Sequence, residues 1–180
     1  QNLIANKSLF FAELSGWSII FITDVIVAIA LYFFFRSTSK QISLLTALIR
    51  LIYTLILRIA IMQLFRIIPI LSLNNASTYQ LDASTALTHI QLFEKLWSIG
   101  LIVFGLHLIG LGYLSIKSKS IHWSLGYLLY LGGASYTFVH VTQQLGLLNP
   151  DGISALEKIL AVPMTLAEML LAFWLIYNGF

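Results

Sequence analysis

Five long stretches of mostly apolar residues limit what this chain can fold into more than any other feature of its sequence. A helix needs about 20 such residues to cross the hydrocarbon core of a bilayer, and each stretch reaches that length. The runs are continuous, whereas the strands of a membrane barrel alternate apolar and polar residues over about ten positions. We therefore predict an all-α, polytopic transmembrane helix bundle, with the Ser- and Thr-rich residues 73–88 as its longest connection. The five spans are expected at about residues 9–35, 42–71, 96–116, 121–141 and 156–177.

Composition supports a membrane location and excludes several other classes of protein. Of the 180 residues, 59% are hydrophobic and 9% are charged, whereas roughly 25% of the residues in a soluble domain are charged. The lysines and arginines form no basic patch, so no nucleic-acid partner is expected. The chain has no cysteine, which excludes disulfides and thiol chemistry. The lipid bilayer is thus the partner that composition predicts.

The connections between the predicted spans differ in charge. Residues 36–41 and 117–122 contain basic residues and no acid, while the connections at the opposite ends of the spans mix both signs. Because cytoplasmic loops of membrane proteins are enriched in lysine and arginine, we predict that these two loops and the C-terminus are cytoplasmic and that Gln1 lies outside. We expect a multi-pass protein of a bacterial inner membrane. Residues 1–180 would form one transmembrane domain, preceded by a further span before Gln1.

Four of the predicted spans carry one ionisable residue each at a similar depth. At about 1.5 Å per helical residue, these residues lie roughly 12–16 Å from the cytoplasmic ends of their spans. Arg58 would lie higher, at about 24 Å. Ionisable groups are costly within a membrane and often mark a functional site. The candidate ligand-binding or ion-pathway residues are therefore Asp24, Arg50, Arg58, His107 and Glu168.

This polar layer has three interpretations. In the first, the bundle handles a small ligand or a cation, as a transporter does, through its buried polar residues. In the second, the two acids and two arginines pair with one another and only fix how the helices pack, as in a structural or interaction subunit of a membrane complex or in a homo-oligomer. In the third, the chain is an intramembrane enzyme. No known catalytic motif is present, so no catalytic residue is assigned.

Glu168 is the acid that we expect to bind a proton or a cation in the first interpretation. Pro163 lies five residues before it, and a proline inside a helix removes a backbone donor and can open the helix locally. Glu157 lies eleven residues before Glu168, a spacing that returns to nearly the same helix face. The two acids would then form a track from the outer mouth to the middle of the span.

Two histidines raise the question of haem or metal binding. His107 lies about 12 Å and His140 about 28 Å from the cytoplasmic ends of their spans, which is too far apart for both to ligate one iron. Two histidines alone are also a poor metal signature. We therefore expect no cofactor and no metal.

Glycines are frequent in the third and fourth predicted spans. Small residues allow membrane helices to approach each other closely. A tight hairpin of these two spans is therefore predicted, closed by the short basic turn between them.

Several motifs resemble those of a known family. The most specific is Phe-Gly-x-His-Leu-x-x-x-Gly-Tyr, at residues 104–113. From about Asn6 to its end, the chain resembles bacterial membrane proteins of the domain-of-unknown-function family numbered 4386. The resemblance implies a six-helix membrane protein whose first helix would precede Gln1, and it implies no particular activity. The other motifs that carry the resemblance are Ala30-Leu31-Tyr32, Leu48-Ile49-Arg50-Leu51-Ile52-Tyr53, Leu125-Gly126-Tyr127-Leu128-Leu129 and Gly132-Gly133.

Overall fold

The computed structural model describes residues 7–69, 79–119 and 121–178. This part of the chain is helical and contains no strand, as the continuous apolar runs predict. Where the connections are described, they are short. The five helices are α1 (Lys7–Phe35), α2 (Lys40–Phe65), α3 (Tyr79–Ser118), α4 (Trp123–Gln144) and α5 (Pro150–Asn178).

Within the described part of the chain, four stretches of helix are long and apolar enough to cross a membrane, so the chain is an all-α protein with the features of a multi-pass membrane protein. α4 is not among them. It has 22 residues, but its glycine, tyrosine, serine, threonine and glutamine residues make it less apolar than the others. Four of the five predicted spans are thus supported. These are Lys7–Phe35, Lys40–Phe65, Ser84–Ser118 and Pro150–Asn178.

The predicted helix bounds are most in error at the start of α3. The polar composition of residues 73–88 predicts a connection, but α3 already begins at Tyr79. The polar residues do not prevent a helix because their hydroxyls can bond within it, as Thr88 Oγ1 does to the carbonyl oxygen of Ser84 at 3.0 Å. This part of α3 also packs, since Ala86 is buried. α2 ends at Phe65, and residues 70–78 lie outside the described residues.

The first three helices pack as antiparallel neighbours. Ser43 Oγ, near the start of α2, donates to the carbonyl oxygen of Tyr32, near the end of α1, at 2.9 Å. In the next pair, Gly110 of α3 lies against Thr46 of α2, so closely that a Cβ on the glycine would collide with the threonine side chain. The middle of each helix is thereby brought to the same level of the bundle.

Glycines bring α3 and α4 into close contact. A Cβ at Gly133 would lie 2.5 Å from the carbonyl oxygen of Gly105, and a Cβ at Gly112 would lie 2.8 Å from that of Gly126. Because these contacts involve backbone atoms, the two helices meet where side chains are absent. The predicted tight hairpin is confirmed.

α5 packs against α4 and contains Pro163 within the helix. Gly132 of α4 faces this region, and a Cβ there would lie 2.9 Å from the Cβ of Ala167 and 3.2 Å from the carbonyl oxygen of Pro163. Toward the end of α5 the two helices enclose an open groove of about 580 Å³, which we name the α4–α5 groove. It is lined mainly by Leu125, Leu128, Leu170, Phe173, Trp174 and Tyr177.

The antiparallel order places three connections or ends on one side of the bundle. The turn after α1, the turn between α3 and α4, and the last residues of α5 all lie there. We name this side the basic end, because it carries Arg36, Lys40, Lys117 and Lys119. Outward faces of the helices expose large apolar side chains, as a lipid environment requires, for example Ile19, Ile22 and Ile26 of α1.

This arrangement predicts which positions an impermeant thiol reagent reaches in intact cells. The chain has no cysteine, so each single substitution reports alone. Ser37→Cys and Lys117→Cys, at exposed positions of the basic end, should be shielded because basic loops remain in the cytoplasm. Leu147→Cys, at the opposite end, should react. Permeabilised cells are the control, since all three should then react, and labelling only the first two in intact cells would reverse the orientation.

Candidate functional site

An ion pair joins α1 to α2 in the middle of the bundle. Arg50 Nη2 donates to Asp24 Oδ1 in a short contact. Asp24 is 5% exposed, and the side chain of Arg50 is 13% exposed, so solvent screens the pair very little. A charge-assisted hydrogen bond is strong in such surroundings, and either partner would be costly to bury alone.

His107 of α3 extends this ion pair to a third helix. Arg50 Nη1 lies 3.2 Å from His107 Nε2, and His107 Nδ1 lies 2.9 Å from the carbonyl oxygen of Thr46. A guanidinium can only donate hydrogen bonds and a carbonyl can only accept them. Nε2 must therefore accept and Nδ1 must carry the proton, which makes His107 a neutral imidazole in one tautomer. The ring has no free nitrogen on which to bind a further proton.

Aromatic rings pack beside the ion pair. The centroid of the Phe104 ring lies 5.0 Å from that of Tyr53 and 5.4 Å from that of Tyr136. The guanidinium carbon of Arg50 lies 5.4 Å from the Phe104 centroid, which is within the range of a cation–π interaction. Phe104 thus connects Arg50 of α2 with Tyr136 of α4.

Glu168 joins the same region through a tyrosine. The hydroxyl of Tyr136 donates to Glu168 Oε1 at 2.6 Å, which links α4 to α5. Arg50 and Asp24 are close enough to Glu168 to interact with it electrostatically, but no cation of the described chain forms an ion pair with it. All five helices therefore contribute to one group of side chains. We name it the mid-bundle cluster: Asp24, Arg50, Phe104, His107, Tyr136 and Glu168.

The structure unites most of the candidate residues but not all of them. Arg50 contacts both Asp24 and His107, and Glu168 is joined to them through Tyr136 and Phe104. Arg58 is exposed on α2, because eight residues rotate a helix by about 80° away from the face of Arg50. The cluster therefore contains two acids and one arginine, whereas the sequence suggests two of each.

The aromatic members are not predicted from the sequence, because an aromatic residue in an apolar span does not stand out as an ionisable residue does. Phe104, and Tyr53 that packs against it, could have been found by spacing. Tyr53 lies three residues after Arg50, and Phe104 lies three residues before His107, and residues three apart share a helix face. Tyr136 offers no such signal, since its acidic partner lies on another helix.

Two atoms of the ion pair remain open. Asp24 Oδ2 and Arg50 Nε are buried and have no hydrogen-bond partner within the part of the chain that the structure describes. Buried polar groups are nearly always paired with protein or with water. The pair therefore offers one acceptor and one donor to water or to a small polar ligand.

A second polar group lies between α3 and α4, toward the end opposite the basic end. Ser98 Oγ donates to Gln143 Oε1 at 2.7 Å and lies 3.1 Å from His140 Nδ1. The partners of His140 are thus separate from those of His107. Among residues 7–69, 79–119 and 121–178, no three His, Asp or Glu side chains are grouped as metal ligands.

Fold and site together define a helical protein with four candidate membrane spans and a buried, charged cluster at mid-height. The chain belongs to the family described as "Domain of unknown function (DUF4386)", which matches residues 1–179. It is also similar to an uncharacterized protein of Archaeoglobus fulgidus, 30% identical over 164 residues, which cover 91% of this chain and 82% of that protein. No solved structure matches. The family resemblance is confirmed.

Proposed function

We propose that the protein handles a proton, a cation or a small ligand within the membrane through the mid-bundle cluster. The observation that carries this proposal is the charge of the cluster. Arg50 bonds Asp24, so Glu168 keeps only the Tyr136 hydroxyl as a hydrogen-bond partner among the described residues. The cluster thus has one more acid than it has cations.

An acid without a cationic partner is costly inside a bilayer. The penalty for a charged side chain at the centre of a spanning helix is about 2.5–3.5 kcal/mol on insertion scales. Glu168 avoids this penalty if it binds a proton or a cation. Tyr136 can remain bonded to it in either state, because a hydroxyl both donates and accepts. Positive charge can then arrive and leave at Glu168 while Asp24 and Arg50 stay paired.

The position of Glu168 favours exchange. Its side chain is partly exposed, whereas Asp24 and His107 are buried. Pro163 lies inside the same helix, and its missing N–H leaves a carbonyl of the preceding turn without the usual donor. The carbonyl that loses its donor is four residues earlier, at Ile159, between Glu157 and Glu168, so the helix can open locally along that stretch.

Polar residues also lie between Glu168 and the end of the bundle opposite the basic end. The His140 ring stacks on the ring of Tyr136 with centroids 6.3 Å apart, and Glu157 is close enough to His140 to interact with it electrostatically. Gln143, one turn further, is exposed. These side chains of α4 and α5 supply a route by which a cation or proton reaches Glu168.

We further propose that α4 is a fifth span. Gly126 near its start faces Gly112 of α3, and His140 near its end faces Ser98. α4 therefore runs beside α3 over most of its length, and Ser84–Ser118 of α3 is itself a candidate span. A modest hydropathy suits a helix that neighbouring helices cover on two sides.

The proposed orientation follows from charge. The basic end has lysine and arginine and no acid in residues 36–41 and 117–122, which favours a cytoplasmic position. Gln1 would then lie outside and the C-terminus inside. A bacterial inner membrane is the proposed location.

A structural role is the second candidate, and specific contacts favour it. The Asp24–Arg50 ion pair joins α1 to α2, and His107 joins α3 to α2 through Thr46. Such bonds can hold helices in register in a subunit of a larger membrane complex without any ligand. The two candidates differ at Glu168, which changes its bound charge in the first and is a fixed partner in the second.

Glu168→Gln separates these candidates, because glutamine keeps the shape and the bond to Tyr136 but binds no proton. We expect the purified variant to retain wild-type thermal stability and to lose flux, down to the level of protein-free liposomes. The assay uses proteoliposomes loaded with a pH-sensitive dye for H⁺, and tracer uptake for Na⁺ and K⁺. Glu13→Gln, an exposed acid of α1, is the matched control and should keep full flux.

Each outcome of this experiment decides between the candidates. A wild-type protein without flux of H⁺, Na⁺ or K⁺ would reject ion handling. If the wild type shows no flux and the Glu168→Gln variant is less thermally stable than the wild type, the structural role is supported. Equal flux in the wild type and in Glu168→Gln would mean that Glu168 is not the residue that binds the transported ion.

A further inference from the structure

We infer that the α4–α5 groove binds an anionic phospholipid, with one acyl chain in the groove and the headgroup at the basic end. The inference concerns a different part of the bundle from the mid-bundle cluster. It therefore holds or fails independently of what Glu168 does.

The lining of the groove suits an acyl chain. The groove begins beyond the close approach of Gly132 to Ala167 and continues toward the end of α5. Its walls are aliphatic and aromatic, for example Leu128, Leu170 and Phe173. An open apolar groove between membrane helices is filled by hydrocarbon, since no water is present at this depth to solvate it.

The mouth of the groove suits the headgroup level of a bilayer. Trp174 and Tyr177 line it together with two polar residues, Ser124 and Asn178. Tyr177 is 87% exposed. Tryptophan and tyrosine concentrate where the hydrocarbon meets the headgroups, because their rings are apolar and their N–H and O–H groups are polar. The acyl chain and the headgroup are thus matched by two different parts of one groove.

Charge at the mouth selects an anionic headgroup. Lys117 lies in the last turn of α3, with its ammonium nitrogen 5.5 Å from the centroid of the Tyr113 ring, and Lys119 follows in the turn before α4. On the other side, the ring of Trp174 contacts that of Phe34, with centroids 6.0 Å apart, and Arg36 follows two residues later. Residues 36–41, 117–135 and 169–178 contain no acid. Basic pockets between membrane helices bind anionic headgroups in this way.

The same charges argue against a second copy of the chain as the occupant. In a two-fold symmetric contact, each surface meets its own counterpart. A pair of copies joined at this groove would bring two acid-free, lysine-bearing rims together, and like charges repel. A phospholipid supplies both the hydrocarbon and the negative charge.

The test measures lipid binding to the purified full chain in detergent by native mass spectrometry, with phosphatidylglycerol and phosphatidylcholine as probes. We expect tighter binding of phosphatidylglycerol. Lys117→Gln/Lys119→Gln should weaken that binding by about fivefold per lysine and leave phosphatidylcholine unchanged. The matched control is Lys95→Gln/Lys158→Gln, two exposed lysines of the opposite end, which should change neither lipid.

Three further variants test the groove itself. Leu128→Trp, and the milder Leu128→Phe, should fill the groove and weaken binding of both lipids. Leu131→Trp, at a position of α4 outside the groove that is 54% exposed, should not. Equal affinity of the wild type for both lipids would overturn the inference. So would a Leu128 variant that alters the oligomeric state while lipid binding stays unchanged.

Discussion

Arg50→Met is expected to lower the free energy of unfolding by about 3–5 kcal/mol, because it leaves a buried carboxylate without its partner. Asp24 is 5% exposed, so water cannot replace the guanidinium. His107 Nε2 also loses the donor that it accepts from. The measurement is unfolding of the purified protein in mixed micelles, followed by helical circular dichroism.

Two further variants test whether the lost charge pair causes this effect. Arg58→Met makes the same substitution on the same helix at an exposed position, and it should change stability by less than about 0.5 kcal/mol. Asp24→Leu/Arg50→Met removes both charges and should recover most of the loss, since buried pairs can be replaced by apolar residues at little cost. A double variant as unstable as Arg50→Met would mean that packing, not the unpaired acid, is responsible.

The depth of the polar cluster can be predicted from the sequence, but its members cannot all be. Asp24, Arg50 and His107 were found because the ends of an apolar run fix how far each residue lies along its helix. The direction in which a residue faces around the helix axis cannot be predicted in the same way. In a soluble protein the polar face marks the outside, whereas a membrane helix is apolar on both its lipid face and its packed face. Arg50 and Arg58 therefore look alike in the sequence, although only Arg50 faces inward.

The remaining differences between the predicted and the observed structure have two physical causes. Hydropathy measures the free energy of transfer to lipid. It therefore fails to mark helical residues that are covered by other helices or by water. For this reason the sequence predicts a connection at residues 79–88 of α3. For the same reason α4, which its neighbours cover, can be less apolar than they are. Contacts between distant parts of the chain are the other cause. The bond from Tyr136 to Glu168 depends on how α4 and α5 pack, and no spacing within either helix encodes it.

Gly133→Ala should disturb packing more than its single methyl group suggests. The new Cβ would lie 2.5 Å from the carbonyl oxygen of Gly105 and 2.9 Å from the backbone nitrogen of Ile109. Backbone atoms of a helix cannot move aside as a side-chain end can, so α3 and α4 must separate. We expect a loss of about 1–3 kcal/mol in the free energy of unfolding, the range for overpacked sites.

Gly16→Ala is the matched control for Gly133→Ala, because it makes the same change in a helix where nothing lies within 4 Å of the new Cβ. Alanine favours a helix over glycine by up to about 1 kcal/mol, so this variant should be as stable as the wild type or more so. The two variants should therefore differ in sign. Separation of α3 from α4 should also lengthen the contact between Ser98 and His140, which can be followed by the histidine ring resonances. Equal stability of the two variants would mean that α3 and α4 do not touch at Gly133, and the tight hairpin of these two helices would lose its geometric basis.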